Sequence, residues 1–118
     1  MASGENVLPV GSLADITAAD DTHRAGVRVN VPEWGVAVLV RGLSWGETRE
    51  WHDTEGAIES DARMLASGMV EPALTFDQAL EVVRSKSGPA LHRVLGRVME
   101  LSGLTEGFRE GSPDQDGD

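Results

Sequence analysis

The chain contains no cysteine and no tyrosine, and only two phenylalanines and three tryptophans among 118 residues. Without a thiol it can form no disulfide and offer no thiolate, which fits a reducing cytoplasm. No apolar run approaches the roughly 18 residues of a membrane-spanning helix, and no basic region leads into an apolar one at the N-terminus. Neither a membrane anchor nor a cleaved signal is expected. Positive charge is scarce too, with 10 Lys and Arg against 20 Asp and Glu and a formal net charge of −10. Phosphate recognition needs a concentrated positive surface, so nucleic acid is not an expected partner. The acidity gathers at the ends. Residues 1–22 hold Glu5, Asp15, Asp20 and Asp21 with no Lys or Arg, and residues 105–118 hold five acids against Arg109.

Catalytic spacing is missing as well. His23, His52 and His92 are the only imidazoles, and no His-x-x-x-His or Glu-x-x-His pattern includes them. His52 and Asp53 are adjacent, so on a helix they point apart. There is no phosphate loop and no Gly-x-Gly-x-x-Gly. The expectation is a protein that is not an enzyme and takes no metal or cofactor.

What is present is patterning. Residues 1–11 read as a flexible leader. Ser12, with Asp15 three positions on, caps a short helix over 13–19 that is too short to stand alone and must dock on the rest. From 26 to 41 the period is two: Val27, Val29 and Val31, then Val36, Val38 and Val40, separated by Pro32-Glu33-Trp34-Gly35. That is a β-hairpin, with Pro at the start of the turn and Gly free to take positive φ. Two strands are marginal in water, so one valine face must pack on the chain's own helices or on another chain's strand.

Ser44-x-x-Glu47 and Thr75-x-x-Gln78 are capping boxes. They predict helices over 45–67, with an interruption near 54–56, and over 76–85. Ile58, Ala62, Leu65 and Met69 share a face of the first, and Gly68 and Pro72 end it. Ser87-Gly88-Pro89 opens a last helix over 89–102, whose apolar face includes Leu91, Val94, Leu95 and Val98. The short linker between the last two helices predicts an antiparallel pair. Residues 105–118 lack any period and read as a disordered acidic tail. The expected fold is α+β: a single domain over 12–104, with a two-stranded hairpin packed on about three to four helices between disordered acidic termini.

Candidate contact residues are few. Aromatic anchors and arginines are enriched at interfaces, which selects Trp34 at the turn, Trp45 and Trp51 on a polar helix, and Arg93 and Arg97 one turn apart. The alternatives are that Trp45 and Trp51 close the core and that the arginines are a solvated face.

The order of motifs carries a resemblance. A Pro-x-Trp-Gly hairpin runs into Arg41-Gly-Leu-Ser44, and Val70-Glu-Pro-x-Leu-Thr75 then introduces two helices ending at Leu101-Ser-Gly-Leu104. Over about residues 13–104 this resembles the tail assembly chaperones of long-tailed, siphovirus-type bacteriophages and prophages. The resemblance implies binding to a tape measure protein and help for tail tube protein to polymerise around it. It also implies a host-cytoplasmic location, absence from the mature virion and, in many members, a longer frameshifted form. Self-association is a further expectation. The rivals are a tail-completion or adaptor protein of the virion and an acidic DNA mimic.

Overall fold

The computed structural model describes residues 7–104. The expected disordered tail, and the first six residues of the leader, lie outside them. The elements in order are α1 (Leu13–Ala18), β1 (Val27–Val31), a 3-10 turn (Pro32–Trp34), β2 (Val36–Val40), α2 (Trp45–Asp53), α3 (Ala57–Gly68), β3 (Met69–Glu71), α4 (Phe76–Ser85) and α5 (Gly88–Leu101). The described residues therefore form a mixed α+β fold with five α-helices and one antiparallel sheet in the order β1-β2-β3.

The helix starts follow from local chemistry. Ser12, Ser44 and Thr75 each accept the amide three residues on, and Asp15, Glu47 and Gln78 return the bond to the cap amide. Ser87 accepts from Ala90, with Pro89 in the first turn of α5. Gly56, at φ 91°, separates α2 from α3.

In the sheet, Val27 pairs with Val40, Val29 with Val38 and Val31 with Val36. Directly opposed residues share a face, so one side of β1 and β2 is all valine. Val31, Val38 and Val40 on that side are buried, and α5 lies against it. Gly35, at φ 70°, closes the turn by donating its amide to the Val31 carbonyl. The sheet is three-stranded rather than two-stranded because the chain leaves α3 extended. Met69 pairs with Val40 and Glu71 with Leu39, with Val70 the extra residue of a bulge.

The core joins that valine face to Ala62, Met64 and Leu65 of α3 and to Ala90, Leu91, Val94 and Val98 of α5. Three expectations are corrected here. Helices 76–85 and 89–102 are not an antiparallel pair: α4 packs chiefly on α3, and α5 packs on α3 and the sheet. The apolar stripes of α4 and α5 each found α3 in place of one another. Within α3, Met64 is fully buried while Ile58 is exposed, because the sheet draws the buried face toward the helix's C-terminal end. Finally, α1 does not dock. None of its residues is buried, and Leu13 and Ile16 remain exposed.

Packing against the core is close at Gly68, where an added Cβ would stand 2.7 and 2.8 Å from the two Val98 methyls. Overpacked sites of this kind cost about 1–3 kcal/mol. Gly68→Ala is expected to lower unfolding free energy by about that amount in urea titrations, with partial recovery in Gly68→Ala/Val98→Ala. A second expectation concerns pH. Arg41 Nη1 and Nη2 hold Glu47 Oε1 and Oε2 at 2.9 and 2.7 Å, and that pairing, aided by the Ser44 amide, holds the Glu47 carboxyl below its ordinary value. A depressed folded pKa gives stability that is complete above the ordinary carboxylate range and lost as pH falls through the folded value. Wild type should therefore exceed Glu47→Gln in urea midpoint at neutral pH, and the gap should close on acidification.

Candidate peptide-binding groove

Beside β2, on the side away from β1, the surface opens into a groove of 630 Å³. Its floor is Val36, Ala37 and Val38, its far wall is Leu74 and Val82, and Trp34 closes one side. Arg28, Lys86 and Glu71 also line it.

The groove exists because β3 is short. Opposed to Leu39 at Glu71, β3 is followed by Pro72, which has no N–H with which to continue a ladder. The chain then turns through a cis Glu71–Pro72 peptide toward α4. The Arg41 amide donates to the Gly68 carbonyl, on the β3 side, while the Gly42 amide donates to Thr22 on the opposite side. Backbone groups of an antiparallel strand alternate sides. Ala37, four residues before Arg41, therefore directs its N–H and C=O to the β3 side, beyond the end of β3. Among the described residues this stretch of edge has no strand beside it.

Trp34 lies half-buried between this groove and the core. Its Nε1 is shielded from solvent and has no hydrogen-bond partner among the described residues. A buried donor left unpaired costs about 1–3 kcal/mol. The turn carrying it is fastened from behind: Arg93 Nε donates to Glu33 Oε1 and Oε2 at 2.9 and 3.2 Å, and Nη2 donates to Oε2 at 3.1 Å. The Arg93 guanidinium holds the Glu33 carboxyl below its ordinary value. Of the groove cations, Arg28 donates to Asn30 Oδ1 at 3.2 Å. Neither Arg28 nor Lys86 meets a carboxylate among the described residues.

The five residues selected from sequence scatter. Trp34 lines the groove, and Arg93 fixes its turn through Glu33 without lining it. Trp51 packs against the core. Trp45 is 75% exposed on α2, with the Arg49 guanidinium 5.9 Å from its ring centroid, at the outer limit of a cation–π contact. Arg97 pairs with Glu100 of its own helix at 2.6 Å. Ala37, Leu74, Val82, Arg28 and Lys86 were not singled out. One signal pointed to them: Val36-Ala-Val-Leu-Val40 is apolar at every position, the pattern of a strand covered on both faces.

Among the described residues, no group of three His, Asp or Glu is placed to hold a metal ion, and no helix is long and apolar enough to cross a membrane. The arrangement offers an extended apolar segment a floor, two backbone hydrogen-bonding groups and the cationic side chains of Arg28 and Lys86. Comparison with protein-family models, curated proteins and solved structures gave no match.

Trp34→Phe keeps an aromatic wall and removes the orphaned donor. Unfolding free energy is expected to rise by about 1 kcal/mol, read as a higher urea midpoint at unchanged slope.

Proposed function

We propose that this protein is a tail assembly chaperone of the kind found in long-tailed bacteriophages. It binds an apolar segment of a tape measure protein, keeps that protein soluble and promotes tail tube assembly around it. It works by reversible binding rather than by catalysis, in the host cytoplasm, and leaves before the virion is complete. The hairpin and the helices behind it are the scaffold, and the groove is the grip.

The observation that carries this reading is the groove beside β2, apolar in floor and wall and lined on one side by Trp34. A protein that shields a hydrophobic partner needs such a surface, and extended segments are commonly held by adding to an open strand edge. The net charge of −10 favours solubility of the complex. The choice of a tape measure protein as partner rests on the resemblance carried by the ordered motifs of the sequence.

Co-expression tests it. A tape measure protein encoded beside this chain should move from the insoluble to the soluble fraction and co-purify with it. Val36→Asp and Val82→Asp, both in the groove, should each abolish that rescue while the chaperone itself stays folded by circular dichroism. A tape measure protein left insoluble by the wild type sinks the proposal. The exposed apolar residues before and within α1 favour, as a second reading, a tail-completion or adaptor protein retained in the particle. Mass spectrometry of purified virions separates the two, since a chaperone is missing or trace there.

A further inference from the structure

The N-terminal arm, like the groove, presents apolar residues at the surface. Val7, Leu8 and Val10 are 78%, 80% and 100% exposed, in a segment that is neither helix nor strand. The capping box of α1 is satisfied within its own turn, so the core does not order this arm. Segment 7–11 is itself uncharged, and the chain around it, residues 1–22, holds four acids with no Lys or Arg. In the groove Arg28 and Lys86 outnumber Glu71, and neither cation meets a carboxylate among the described residues.

We infer that segment 7–11 of one copy docks in the groove of a second copy, adding as a strand along Ala37. The spacing suits this. In an extended chain Leu8 and Val10 share a side, and so do their backbone N–H and C=O groups. With those groups turned to β2, both side chains meet one face of the groove, and Pro9, which lacks an N–H, faces outward. An outward-facing position on an edge strand is where proline is tolerated. Within one chain the arm springs from the other end of the strand. Thr22 is bonded to Gly42, five residues and roughly 17 Å from Ala37, and none of residues 7–11 lines the groove of its own chain. Donor and acceptor are different surfaces, so each copy can give one arm and receive another. The inference goes beyond the proposed function: it gives the groove an occupant from this chain in the absence of a tape measure segment, which would displace the arm.

Sedimentation velocity over a concentration series tests it. Wild type should show a mass above the monomer that grows with concentration. Leu8→Asp/Val10→Asp, at exposed positions, should be monomeric. Ala37→Pro, which removes the open amide, should be monomeric as well, and Arg28→Glu/Lys86→Glu should weaken association about tenfold or more. The deciding experiment mixes the two monomeric variants. Each keeps the half that the other lacks, so the mixture should form a dimer and nothing larger. The inference is overturned by a wild type that stays monomeric throughout, by association that survives Leu8→Asp/Val10→Asp, or by a mixture that stays monomeric. Association abolished by Phe108→Ser assigns the groove to the acidic tail and overturns it too. None of these outcomes depends on whether a tape measure protein is rescued.

Discussion

Everything in this fold hangs from the junction just after β2. Within three residues the Arg41 amide holds the end of α3 through the Gly68 carbonyl, the Gly42 amide holds Thr22, and the Leu43 amide bonds Ser102 Oγ at the end of α5. The approach is so close that a Cβ on Gly42 would stand 2.6 Å from the Leu101 carbonyl oxygen. Ser102 Oγ in turn donates to the Val98 carbonyl at 2.6 Å. Arg41 also reaches forward to Glu47 and so fixes the start of α2. One strand end thereby sets the position of three helices, and glycines at 42 and 68 allow the approach because neither brings a side chain.

From this junction the rest takes its place. With its C-terminal end fixed there, α5 runs along the valine face toward the turn, where Arg93 meets Glu33. Both ends of the hairpin are thus fastened to one helix, at points 60 residues apart in sequence at the turn end. The wall carrying Trp34 is held before any ligand arrives. Preorganised surfaces of this kind lose little conformational freedom on binding, which suits the reversible binding proposed for the groove.

Much of the architecture was legible because it is local. Caps at Ser12, Ser44, Thr75 and Ser87 need only the next three residues, and the alternation of valines needs only the strand itself. What was missed is non-local or very short. At three residues, β3 shows no period, and its strand state depends on Arg41 meeting Gly68. The partner of α4 was misjudged because a short linker suggested adjacency to α5, whereas the buried face of α3 had more to offer. Of the candidate residues, Trp34, chosen for its type and place in the turn, lines the groove. Arg93 and Arg97 were chosen as free charges, but Glu33 and Glu100 already engage them. The groove itself could be read only as an unexplained apolar run in β2, since its far wall comes from α4, some forty residues later.

The brevity of β3 sets a gauge. Two more paired residues before the proline would bring a strand alongside Ala37, and the opening would be sealed by the chain itself. Two fewer would bare Leu39 and loosen the cover over Val40. The length of the aperture is therefore decided by where one proline stands relative to one helix end. Insertions between Met69 and Pro72 would rescale what the surface accepts and keep Met69 in the packed interior. Related chains with different partners could diverge by that route, by changing a distance along the backbone with the core residues kept.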